Sequence, residues 1–171
     1  MVDDRHTAPA SLQDVAQRRK RAGPVLSLKG RALRFLARRE HSRAELRRKL
    51  LVDDVIAEQL DAVLDDLESK RLLSDHRYAE VVAHGKGARY GVARLAQTLS
   101  RQGVDAEIAA QTLAPLRASE RERALAVWKR RFGEPPADLK QRARQHRFLL
   151  GRGFDPATVS WVLRQAGSAA R

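Results

Sequence analysis

A period of about 50 residues constrains this chain more than any other feature. Moved forward by 49 positions, Leu46, Leu50, Leu64 and Leu67 fall on Leu95, Leu99, Leu113 and Leu116. A further shift of 50 carries Leu99, Gly103, Asp105, Ala109 and Leu113 onto Leu149, Gly153, Asp155, Val159 and Leu163. Self-similarity at a fixed spacing is the mark of tandem units that stack side by side. The turn signals Gly103-Val104-Asp105 and Gly153-Phe154-Asp155 repeat with the leucines, which chance leucine spacing would not produce. Units this small bury little surface alone, so neighbouring units are expected to share core.

Within each period the apolar residues follow helical spacing, and nowhere do they alternate as in a strand. Ser27 is placed to cap a helix carrying Leu28, Ala32, Phe35 and Leu36. Ser42-Arg43-Ala44-Glu45 and Ser119-Glu120-Arg121-Glu122 have capping-box spacing, in which each box satisfies two orphan amides at a helix start. Asp53 and Asp54 suit the start of a helix bearing Leu60, Val63, Leu64 and Leu67, because acids complement the helix dipole there. Ser74 or Asp75 caps a helix with Tyr78, Val81 and Val82 inward. Pro115 ends or bends another, and Asp155-Pro156 is a cap followed by proline at the first helical position. These signals predict nine helices in an all-α fold of three tandem three-helix repeats: 27–73, 74–117 and 118–171. Residues 1–26 lack an apolar period and are expected to form a mobile basic tail, with Arg18-Arg19-Lys20-Arg21 solvated.

Charge narrows the function. The 171 residues carry a formal net charge of +13, which favours polyanionic partners. The charge is segmented. Residues 31–50 hold eight bases against two acids, 51–69 hold seven acids and no base, and 117–152 hold eleven bases against four acids. A surface with faces of both signs fits contact with protein and nucleic acid together. There are no cysteines, so neither a disulfide framework nor a thiolate metal site is available. No apolar run reaches the ~20 residues of a membrane helix, and the first residues lack the pattern of a secretory signal. The five histidines show no metal-ligand spacing, and Gly85-Lys86-Gly87 lacks the strand and the full spacing of a phosphate loop. No catalytic, cofactor or metal residue is assigned, and an enzyme is not expected.

Taking Leu46, Leu95 and Leu149 as inward, Arg48 points outward with Arg47 on its flank. Arg94 and Arg101 project from the second unit, and Arg144 and Arg147 from the third. With Arg43 and Arg152 they form the expected binding set, aligned as one basic stripe if the units stack without large rotation. Solvated arginines on a helix's outer face are the plain alternative. Trp161 corresponds to Gln111 and is expected to cover the end of the stack.

Three separated stretches resemble the RecX regulatory family, in order and spacing over about residues 27–167. They are Ala32-Leu33-Arg34-Phe35-Leu36-Ala37-Arg38-Arg39-Glu40-His41-Ser42-Arg43-Ala44-Glu45-Leu46, Leu72-Leu73-Ser74-Asp75-His76-Arg77-Tyr78-Ala79-Glu80, and Arg147-Phe148-Leu149-Leu150-Gly151-Arg152-Gly153-Phe154. The resemblance implies an elongated, curved stack whose hand is not assigned. It also implies binding to RecA-type recombinase filaments on single-stranded or double-stranded DNA, and inhibition of their ATPase, strand-exchange and co-protease activities. A cytoplasmic monomer without cofactors follows as the expectation. The chain departs from the pattern at Arg71, where a glycine is usual, and at Asp54, which stands where later units have the turn glycine. A sequence-nonspecific DNA-binding helical protein is the alternative, and an RNA-binding factor a weaker one.

Overall fold

The structure is a computed structural model that describes residues 26–51 and 55–168. Residues 1–25 of the basic N-terminal tail fall outside the described residues, as do Asp53 and Asp54. The helix expected to open at those acids starts later, at Ala57, where the N-cap is Ile56 and no side chain accepts a capping hydrogen bond. Nine α-helices and no strands occur among those described. They are α1 (Leu28–Leu36), α2 (Arg43–Leu50), α3 (Ala57–Ser69), α4 (Asp75–Gly87), α5 (Val92–Arg101), α6 (Ala106–Ala118), α7 (Glu120–Arg131), α8 (Leu139–Gly151) and α9 (Pro156–Ser168).

Six of the nine described helices start where a short polar side chain accepts an orphan amide. Ser27 Oγ accepts from Gly30 N at 3.1 Å, and Ser42 Oγ from Glu45 N at 3.1 Å. Asp138 accepts from Gln141 N at 2.6 Å, and Asp155 from Ala157 N at 2.8 Å. Both capping boxes read from sequence are incomplete. Glu45 does not return to the Ser42 amide, because Arg39 and Lys49 hold its carboxylate. Ser119 caps nothing: its hydroxyl donates to Pro115 O at 3.2 Å, since α6 runs past Pro115 to Ala118 and almost directly into α7. Val81, expected inside, is 54% exposed, and Ala79 and Ala83 fill that face of α4 instead.

Helices α3, α5 and α8 end alike. Leu72 N, Val104 N and Phe154 N donate to Leu67 O, Leu99 O and Leu149 O, six residues closing on one in a Schellman turn. Such a turn needs a left-handed residue. Gly103 (φ +73°) and Gly153 (φ +79°) supply it twice, and Arg71 (φ +57°) supplies it in the first unit despite its side chain.

Each triplet of helices has its own apolar centre. Ala32, Leu46, Leu50, Leu60, Leu64 and Leu67 fill the first. Tyr78, Val82, Leu95, Leu99, Val104 and Leu113 fill the second, and Trp128, Leu149, Phe154, Val159, Val162 and Leu163 the third. The expectation of shared core is therefore not met: the three centres are separate, and polar joints connect the units.

The two joints repeat each other. At the first, Ser42 Oγ donates to Gln102 O at 2.6 Å, and Arg43 N donates to Asp75 Oδ1 at 2.7 Å. At the second, Gly91 N donates to Arg152 O at 2.9 Å, and Val92 N donates to Glu120 Oε1 at 2.8 Å. Thus an acid at the start of one unit's first helix caps the middle helix of the unit before it. Glu120 is buried and also accepts from Asp155 N at 3.4 Å. Among the described residues, every inter-unit hydrogen bond and ion pair joins the second unit to one of its neighbours, so the units follow one another in linear order.

Candidate functional site

The eight arginines singled out by sequence occupy three kinds of environment. Arg43 and Arg47 face α3. Arg43 meets Asp65 at 2.7 Å and Glu68 at 2.5 Å, and Arg47 grips Asp61 through both carboxylate oxygens at 2.8 and 3.1 Å. The acids lie at positions 61, 65 and 68, one stripe of α3, and the arginines one turn apart on α2, so the two helices pair as a charge ladder. The Arg47 guanidinium beside Asp61 holds that carboxyl below its usual range. The acidic segment is therefore largely neutralised within the first unit.

Arg48, Arg94 and Arg152 sit at the joints. Arg48 is exposed and donates to Gln102 Oε1 at 2.6 Å, reaching from α2 to the end of α5. Arg94 donates to Gly151 O at 2.8 Å and lies over the Tyr90 ring, 4.5 Å from its centroid. Arg152 is half-buried between Phe148 and Tyr90, 4.6 and 5.7 Å from their ring centroids. Arg101, Arg144 and Arg147 are exposed and make no ion pair among the described residues. A groove of about 540 Å³ lies where α5 meets the end of α8, with Arg94, Thr98, Arg101, Leu150 and Gly151 on its walls.

The outward arginines thus form a broken row across the middle helices α2, α5 and α8. Arg48 leads through Gln102 to Arg101, and Arg94 leads through Gly151 to the turn of α8 carrying Arg147. Such a row offers planar donors at intervals, suited to phosphate or carboxylate oxygens.

Arg123 escaped the sequence reading. It gathers Gly87 O at 2.6 Å, Tyr90 O at 2.8 Å and Leu116 O at 2.6 Å, carbonyls at the end of α4, in the loop after it and in the last turn of α6. Burial pushes its guanidinium below the ordinary arginine range, and Glu120 opposes that shift. Its only sequence signal was its position one turn into the helix begun by Glu120. Trp161 is half-buried against the third centre with Arg121 5.7 Å from its ring centroid, as expected of a covering residue. Among the described residues no cluster of three potential metal ligands occurs, and no helix is long and apolar enough to cross a membrane.

Comparison with known proteins agrees with this architecture. The RecX first three-helix domain matches residues 29–67, the second 74–113 and the third 119–163. The regulatory protein RecX of Leptothrix cholodnii is 51% identical over 143 residues, covering 84% of this chain and 91% of that one. That of Ralstonia nicotianae is 50% identical over 141 residues, covering 82% and 89%. The crystal structure of RecX from Lactobacillus salivarius superposes with a TM-score of 0.69 at 19% identity, covering 82% of this chain and 94% of that one, a likeness of fold. With three successive domain matches that follow its three helical units, and relatives of half-identical sequence along most of its length, the chain belongs to the RecX family of regulatory proteins.

Proposed function

We propose that this chain docks along a RecA-type recombinase filament on DNA and inhibits its ATPase, strand exchange and co-protease activity. The observation that carries the reading is the row of outward arginines crossing both joints of a three-unit stack, on a chain of the RecX family. Arg48, Arg94, Arg101, Arg144 and Arg147 are its contact residues, and the units 27–73, 74–117 and 118–171 its three docking modules. A stack held by directional joints bridges successive protomers and opposes the relative motion that hydrolysis requires. The chain works as a cytoplasmic monomer, without a cofactor and without a catalytic step of its own.

The test is the DNA-dependent ATPase of a RecA-type recombinase titrated with the protein. Arg101→Glu, Arg144→Glu and Arg147→Glu together touch no internal partner, so folding should change by no more than about ±0.5 kcal/mol per site. Inhibition should weaken more than about tenfold, equivalent to about 1.4 kcal/mol. Wild-type inhibition by the folded triple variant overturns the assignment. The alternative of a DNA-binding protein with no recombinase partner draws on the short α5–Gly103–α6 helix pair. It prevails if binding to DNA is equally tight with and without the filament.

A further inference from the structure

The first unit carries a second cationic surface that the row of arginines does not include. Arg31, Arg34 and Arg38 follow one another along α1 and the turn after it, at spacings of three and four that place them on one face. With Lys49 of α2 they surround a cavity of about 310 Å³ whose remaining walls are Leu26 and Phe35. Lys49 Nζ lies 5.3 Å from the centroid of the Phe35 ring. Arg48 and Lys49, adjacent in sequence, diverge: Arg48 reaches toward the second unit and Lys49 toward α1, so the two surfaces flank the last turn of α2.

Arg31, Arg34 and Arg38 stand apart because every described acid of the unit except Glu58 is paired elsewhere, and Lys49 itself is held by Glu45. Glu40 bonds Arg77 at 2.8 Å, Asp66 bonds Lys29 at 2.6 Å, and Glu45 holds Arg39 and Lys49. Asp61, Asp65 and Glu68 belong to Arg43 and Arg47. Among the described residues, Arg31, Arg34 and Arg38 make no ion pair, although they repel one another. A face that keeps three like charges around an apolar, aromatic hollow is built for an external anion with a flat apolar part.

We propose that this cavity binds single-stranded nucleic acid, with phosphates on Arg31, Arg34 and Arg38 and a base against Leu26 and Phe35. The inference rests on the reading above that the protein works on DNA, and adds a site to it. Cations flanking an aromatic surface are the general arrangement for single strands, since every base has a π-face and every link a phosphate. An acidic peptide would engage the cations and leave the ring unused.

The experiment uses the whole chain without recombinase and a fluorescein-labelled oligo(dT) of about 15 nucleotides, within the reach of such grooves. Anisotropy is followed against salt for the wild type, for Arg31→Ala/Arg34→Ala/Arg38→Ala, and for the same three positions changed to lysine. The alanine variant should bind about tenfold more weakly, with a salt slope shallower by about 2, near 0.7 per phosphate lost. The lysine variant should keep the wild-type slope. Unchanged affinity and slope in the alanine variant overturn the proposal, as does displacement of the oligonucleotide by poly-glutamate at equal charge. Because no recombinase is present, this result is independent of inhibition by the Arg101, Arg144 and Arg147 variant, and either site can fail alone.

Discussion

Three glycines with nearly the same backbone angle separate conformational strain from close approach. Gly103, Gly133 and Gly153 have φ of +73°, +75° and +79°. An alanine at Gly133 meets nothing nearer than Lys129 O at 3.6 Å, so it pays only the left-handed cost of about 1–2 kcal/mol. An alanine at Gly153 pays the same and places its Cβ 2.6 Å from Arg94 N, inside the second joint. Backbone must move there, and overpacking of this kind adds about 1–3 kcal/mol, for a total of about 2–5. Gly103 is intermediate, its new Cβ falling 2.5 Å from the side-chain methyl of Ala44. Urea denaturation measures the difference. Trp128 and Trp161 are the only tryptophans and both lie in the third unit, so fluorescence reports that unit while circular dichroism reports all three. Gly153→Ala should lower the fluorescence midpoint well below that of Gly133→Ala and separate it from the dichroism midpoint, because nearest-neighbour interfaces couple stacked units. Equal losses in Gly153→Ala and Gly133→Ala would refute the claim that this close approach holds the units together.

The capping carboxylates of the two joints should differ in weight. Glu120→Ala leaves the buried Val92 amide unpaired and should cost about 1.5–3 kcal/mol in urea denaturation, whereas Asp75→Ala, more exposed, should cost about 1; the reverse order would contradict the burial argument. Stability should also fall on acidification through His41, which is buried, with Nδ1 donating to Arg39 O at 3.0 Å and Nε2 accepting from Lys49 Nζ at 3.3 Å. Burial holds its pKa below the ordinary 6.5, so the unfolded chain binds the proton first: the contribution is complete above pH 6.5 and is lost as pH falls below it. Urea midpoints at pH 7.5 and pH 5.5 should diverge more in the wild type than in His41→Gln, and equal divergence would remove His41 from the account.

What the sequence disclosed followed from local chemistry. The shift relating Gly103 to Gly153 is visible because both glycines answer the same backbone demand, and the structure gives both the same Schellman turn. Asp155 and Pro156 open α9 because cap and first-turn preferences act within three residues. The joints were hidden because their bonds join positions far apart, such as Ser42 to Gln102 and Val92 to Glu120, and because the residue types change between repeats, Ser42 giving way to Gly91 and Asp75 to Glu120. Glu120 was assigned to a local box, but its carboxylate had a buried amide to satisfy in the preceding unit. The pairing of Arg43 and Arg47 with α3 had a signal that went unused: two oppositely charged stripes at helical spacing on consecutive helices. Arg71 shows the opposite limit, since the fold holds a left-handed conformation that its side chain disfavours.

The separation of the three apolar centres bears on how the molecule would grip a periodic partner. An apolar interface is non-directional and tolerates sliding, because its energy follows buried area. Hydrogen bonds from Ser42 to Gln102 O and from Gly91 to Arg152 O weaken steeply when bent, so they fix the angle between units as well as their contact. Arg123 adds three carbonyls from the second unit to one guanidinium of the third. The outward arginines are attached to these same joints: Arg48 through Gln102, Arg94 through Gly151. Their spacing is therefore set by the bonds that order the stack, and a change at a joint glycine should alter the reach of the arginine row even where every arginine is kept. The last unit breaks the series. Helix α8 is capped by Asp138 of its own unit and begins with the 85% exposed Leu139, so its N-terminus, unlike those of α2 and α5, takes no acid from another unit among the described residues.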